Sequence, residues 1–110
     1  MKINPCNSLL ILAHGAGAGK DSEFILDLSS RLDERGIKVH CFNFPYMNKM
    51  LETGKRRPPD RMPKLIESYR QEILTLKNEG KLAGKALFIA GKSMGGRVAT
   101  LLSANDDLDS

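Results

Sequence analysis

The chemistry this chain could perform centres on one serine. Gly91-Lys92-Ser93-Met94-Gly95 matches G-x-S-x-G and stands between a short apolar run and a segment of helical periodicity. A nucleophile on so tight a strand-to-helix turn needs a strained backbone, and small residues two positions to either side let strand and helix approach. Such a turn lifts the Ser93 hydroxyl above a sheet and aims the N–H of Met94 at the oxyanion that develops on an attacked carbonyl. The plainer alternative is a glycine-rich turn holding an incidental serine.

A second oxyanion donor has to come from another strand end, and His14-Gly15-Ala16-Gly17-Ala18-Gly19 offers one. Its alternating glycines favour neither helix nor strand, so it reads as a tight loop. If the first and third strands are neighbours whose connections leave to opposite faces, a crevice opens at their carboxyl ends, where open α/β sheets bind ligands. The amides of Ala16 and Met94 can then both point into it, with His14, Gly15, Gly17 and Lys92 as loop-ordering or substrate-binding residues. The same loop also looks like a phosphate loop, but a Walker A motif fails on it. His14 occupies the first glycine's place, and Asp21 stands where the hydroxyl belongs. The dinucleotide pattern G-x-G-x-x-G fails at Lys20. Glycine amides at a helix start do favour anions, which keeps a nucleotide- or phosphate-binding module as a rival.

The elements that must hold these loops can be read along the chain. Ser8 to His14 is an apolar run of the kind buried on both faces of a parallel sheet. After the glycine loop, Asp21 can cap a helix whose Phe24, Ile25, Leu28 and Leu32 repeat at helical spacing, with Gly36 ending it. Residues 37–44 form a second strand stopped by Pro45. Tyr46 to Pro59 reads as a long polar connection. Asp60 then starts a helix with Pro63 in its first turn and a stripe of Met62, Leu65, Ile66, Tyr69, Ile73 and Leu76 before Gly80. Ala86 to Ala90 is a third short buried strand, and a last helix runs to about Ser103. The expected fold is therefore α/β, three layers α/β/α, with a short parallel sheet of three strands and three helices in one domain over residues 1–110.

With the elements in order, the pairing of His14–Gly19 with Gly91-Lys92-Ser93-Met94-Gly95-Gly96-Arg97 resembles the α/β-hydrolase superfamily, and its dienelactone-hydrolase-like branch in particular. Phe44-Pro45-Tyr46-Met47 and Lys55-Arg56-Arg57-Pro58-Pro59-Asp60-Arg61-Met62-Pro63 are similar to a narrower group, predicted hydrolases related to a testis-expressed animal protein and an NSL-complex subunit. The resemblance covers nearly the whole chain. It implies a serine hydrolase acting on an ester, lactone or thioester through an acyl-enzyme, with Ser93 as nucleophile and the amides of Ala16 and Met94 as oxyanion hole. In that fold the triad runs Ser, then Asp or Glu, then His. Here no histidine follows Ser93, and Asp106, Asp107 and Asp109 lie too close behind the final helix for the usual acid. His14 is expected to order its loop and His40 to be a strand residue. The expectation is therefore a truncated hydrolase, incomplete or inactive as this chain alone. A non-catalytic interaction domain on the same scaffold is the alternative.

Composition bounds the rest. Hydrophobic residues make up 41% and charged residues 27% of 110, ordinary globular usage that argues against wholesale disorder. Aromatics are only 5%, so aliphatic side chains are expected to do most of the burying. The net charge of +4 is concentrated at Lys55, Arg56, Arg57 and Arg61 against Asp60. A nucleic-acid binder spreads its basic residues along a face with stacking aromatics, so no nucleic-acid partner is expected, and the basic run reads as a solvated loop, a partner surface or a gate for an acidic substrate. Cys6 and Cys41 show no metal-ligand spacing, and no cofactor or metal is expected. No signal peptide or membrane span is apparent, which points to a cytoplasmic protein without a membrane partner. The outer edge of the third strand lacks a partner, so self-association through that edge is expected alongside a small ester-like substrate.

Overall fold

Strand β1 (Ser8–Ala13) lies at the centre of the sheet, because its alternate residues are apolar on both sides. In the computed structural model residues 8–105 are described; Cys6, Asp106, Asp107 and Asp109 lie outside them. β2 (Lys38–Phe42) and β3 (Ala86–Gly91) flank β1, giving a parallel sheet in the order β2-β1-β3. Ile11 stands opposite His40 on one side and Ile89 on the other, so the three strand ends Ala13, Phe42 and Gly91 come out level.

Helices α3 (Met62–Asn78) and α4 (Met94–Asn105) cover one face of the sheet. Leu65, Tyr69, Ile73 and Leu76 of α3 join Val98, Ala99 and Leu102 of α4 over Leu9, Ile11 and Ala13 in one core cluster. Burying a side chain of this size stabilises by about 1.5–3 kcal/mol. Leu12 points the other way, toward helix α1 (Glu23–Glu34), whose Ile25 is buried and whose Ser29 hydroxyl lies 3.2 Å from Cys41 Sγ. The connections after β1 and β3 thus leave to opposite faces, as the crevice argument requires.

Three details differ from the sequence reading. A fourth helix, α2 (Pro45–Thr53), fills the first part of what reads as a polar connection. Pro45 stops β2 but also suits the first helical turn. Met47, Met50 and Leu51 then repeat at helical spacing, and Gly54 closes the helix at φ 71°. The caps differ as well. Ser22, not Asp21, caps α1 through the N–H of Ile25, and Arg61 precedes α3. Asp60 instead accepts the N–H of Tyr46 at 3.2 Å, placing its carboxylate at the start of α2, where the helix dipole favours it. Finally, β3 is only half-buried, with Phe88 39% exposed, because it is an edge strand and α1 lies over the other side of the sheet.

The few aromatic side chains concentrate at the carboxyl ends of the strands. Tyr46, Tyr69 and Phe44 are the largest fully buried side chains, sharing the core with the aliphatic residues. Phe42 meets Phe44 and Tyr69 edge to face, with centroids 5.1 and 5.0 Å away. The Tyr69 hydroxyl donates to Ile11 O at 2.5 Å and accepts the N–H of Ala90 at 3.2 Å, bridging β1 and β3 near their carboxyl ends. Burial pushes its pKa up, so it stays protonated and keeps that donation.

Candidate active site

Backbone conformation singles out Ser93. Its φ of 49° makes it the one residue other than glycine in the left-handed region among the described residues. That conformation costs a serine about 1–2 kcal/mol. The residue is exposed, and its hydroxyl makes no hydrogen bond within the described chain, so the strain is not repaid by a side-chain contact. It stands between Gly91, the last residue of β3, and Met94, the first of α4.

The flanking glycines are there for lack of room. A Cβ on Gly95 would lie 2.5 Å from His14 O and 2.7 Å from Ala13 O; one on Gly96 would lie 2.7 Å from Gly91 O. Real side chains do not approach backbone so closely. The start of α4 therefore packs directly on the ends of β1 and β3. Met94 opens the helix, and the N–H groups of a helix's first turn have no acceptor within it.

The glycine loop sits against this turn. Lys92 N donates to Ala13 O at 3.0 Å, and a Cβ on Gly15 would touch Lys92 O at 3.4 Å. His14, fully buried, has both ring nitrogens engaged by backbone groups. Its Nε2 accepts the N–H of Phe44 at 3.0 Å. The proton must then be on Nδ1, which donates to Gly15 O at 2.6 Å. Burial lowers the His14 pKa, opposed by the bond to Gly15 O, so the neutral tautomer is the resident form.

Tyr46 completes the clamp. Its hydroxyl lies 3.0 Å from Ala16 O and 3.4 Å from Gly15 O, donating toward both. Burial and the charge of Asp60 push its pKa up to about 12, so the proton stays. In a trans peptide the N–H points opposite to the C=O. With Gly15 O drawn inward by His14 and Tyr46, the N–H of Ala16 faces outward, where Ala16, Gly17 and Ala18 are exposed. Lys20 N donates to Asn43 Oδ1 at 2.8 Å, tying the far end of the loop to the residues after β2.

The fold thus brings together His14, Gly15, Ala16, Lys92, Ser93 and Met94 at one end of the sheet. Gly17, further along the loop, has open space beside it. Lys92 stretches over the Phe24 ring, with Nζ 4.6 Å from the centroid, and so spans from the turn to α1. His40 is a strand residue bonded at 2.6 Å to Glu72 of α3, two residues short of the end of β2. The structural roles of Asn43 and Tyr46 depend on contacts with a loop up to 31 residues away, and Asp60 supports Tyr46 through its N–H.

Among the described residues no group of three His, Cys, Asp or Glu could hold a metal ion, and no helix is long and apolar enough to cross a membrane. A family model described as an alpha/beta hydrolase domain matches residues 6–110. Searches of curated proteins and of solved structures returned no match.

Proposed function

The chain belongs to the alpha/beta hydrolase family, and from that premise we propose that it carries the nucleophile half of a serine hydrolase acting on an ester, lactone or thioester. In this reading Ser93 attacks the carbonyl and forms an acyl-enzyme, while the amides of Ala16 and Met94 stabilise the tetrahedral oxyanion. The observation that supports it best is the left-handed backbone of Ser93, a strained and exposed serine on a strand-to-helix turn. Within the family, the residues shared with the dienelactone-hydrolase-like branch, and with the group related to testis-expressed and NSL-complex-subunit proteins, favour that placement. A cytoplasmic setting is part of the proposal.

Attack by Ser93 needs a base, and neither histidine of this sequence is available. His14 has its nitrogens engaged by Gly15 O and the Phe44 N–H, and His40 pairs with Glu72. Without a base a serine hydroxyl is a weak nucleophile at neutral pH. We therefore propose only slight hydrolysis by these 110 residues alone, the acid and imidazole coming from elsewhere. The engaged imidazoles also favour a second reading, a scaffold that binds without turnover. Covalent labelling by a fluorophosphonate probe, with Ser93→Ala as control, separates the two. Labelling that vanishes in the variant supports the hydrolase; a folded chain that never labels supports the scaffold.

A further inference from the structure

Beyond the glycine loop lies a cleft of about 370 Å³ between residues 17–22 and α2. Met47, Met50 and Leu51 of α2 form an apolar wall, and Lys55 and Arg56, just past the helix, line it as well. Leu51 is 64% exposed, an apolar side chain standing open to water beside two cations. Methionines adapt to flexible aliphatic shapes better than branched residues do.

The charge here is unbalanced. Lys55, Arg56 and Arg57 form no ion pair among the described residues. Glu52, three residues before Lys55, forms no ion pair with any of these cations, and Asp60 is occupied by the Tyr46 N–H and by Lys64 at 3.6 Å. Asp21, the acid on the lining, lies 3.8 Å from Lys20. The cleft therefore combines an aliphatic wall with two uncompensated cations. It also borders the candidate site. A Cβ on Gly15 would lie 3.4 Å from Lys92 O, so the loop passes close to the serine turn there, and Gly17, which lines the cleft, is two residues further, a span of at most about 7 Å.

We propose that this cleft holds the aliphatic arm of the substrate and that Lys55 and Arg56 read a carboxylate at the arm's far end. The substrate class is an aliphatic ester or thioester bearing a terminal anion. This rests on the hydrolase reading for its reacting end, but the recognition itself is independent of turnover.

The test uses Ser93→Ala protein, so nothing is consumed, with octanoate and octanol as probes followed by methyl NMR of Met47 and Met50. Octanoate shifts both methyls and binds at least about fivefold more tightly than octanol at low salt. Lys55→Glu with Arg56→Glu, both exposed, lowers octanoate affinity by about tenfold and leaves octanol unchanged. That reversal distinguishes the cleft from a carboxylate held at the amides of Ala16 and Met94, which it leaves intact. Equal binding of the two probes, an octanoate affinity indifferent to the reversal, or unmoved methionine methyls would each overturn the proposal. Ser93 labelling reports on the hydrolase reading separately. Labelled Ser93 with indifferent octanoate sinks the substrate class alone, whereas charge-dependent octanoate binding without labelling sinks the hydrolase and keeps the binding site.

Discussion

Replacing Ser93 by glycine should make the protein more stable while removing the proposed nucleophile. At φ 49° the serine bears about 1–2 kcal/mol that glycine does not. Glycine returns part of this, about 0.4–1 kcal/mol, through the greater freedom of its unfolded chain. Because the exposed hydroxyl makes no hydrogen bond within the described chain, nothing else is lost. The net gain is about 0.5–1 kcal/mol, or about 3–6 °C in Tm for a domain of this size. Ser93→Ala is the matched control, since alanine keeps the left-handed strain and loses only the hydroxyl. Urea denaturation of the wild type and both variants, compared at equal m-value, measures the difference. Ser93→Gly at or below Ser93→Ala would refute the claim that strain resides at this residue, and with it the strongest support for a nucleophile.

Four further outcomes follow from the same geometry. Tyr46→Phe should slow fluorophosphonate labelling of Ser93 by about tenfold, less than the 10²–10³ of deleting an oxyanion donor outright, because the amide loses its alignment and not its presence; an unchanged rate would contradict the clamp. Gly95→Ala, whose Cβ would lie 2.5 Å from His14 O, should cost about 1–3 kcal/mol in denaturant unfolding. His14 should show the Nδ1–H tautomer in nitrogen-15 NMR at pH 7. Its folded pKa is lowered, so its contribution to stability is intact above the unfolded value of 6.5 and is lost as pH falls below it toward the folded pKa; a His14 ring that protonates above pH 6.5 would contradict this. Sedimentation should reveal concentration-dependent self-association through the β3 edge, suppressed by Phe88→Lys, which places a charge beside that edge.

The three strands and the glycine loop and serine turn at their ends were legible in the sequence because they follow from short-range signals, whereas the order β2-β1-β3 was only a supposition that the structure bears out. Apolar runs ending at glycines marked β1 and β3, and right-handed crossovers then constrained where they could lie. Helix α2 was not legible, since Asn48, Lys49 and Glu52 dilute its stripe and the basic run that follows suggested one continuous loop. Pro45 was equally ambiguous, because a proline that stops a strand also starts a helix well. The half-exposure of β3 followed from which helix covers which part of the sheet, a tertiary fact. Tyr46 and Asp60 lay beyond local reading for the same reason. Tyr46 reads as the start of a polar connection, and only the fold reveals that its hydroxyl reaches two carbonyls some 30 residues upstream.

One turn of α2 carries two tasks. Tyr46 holds the carbonyls of Gly15 and Ala16, and the next residue, Met47, forms part of the cleft wall. Whatever steadies that turn from the cleft side also steadies the Gly15–Ala16 peptide, whose N–H is the proposed oxyanion donor, and the influence is reciprocal, as linkage between sites requires. Under the hydrolase proposal, contact made far from the bond being broken would thereby be converted into alignment at that bond. An arm long enough to fill the cleft would accelerate acylation itself, where a short one would only be bound less tightly.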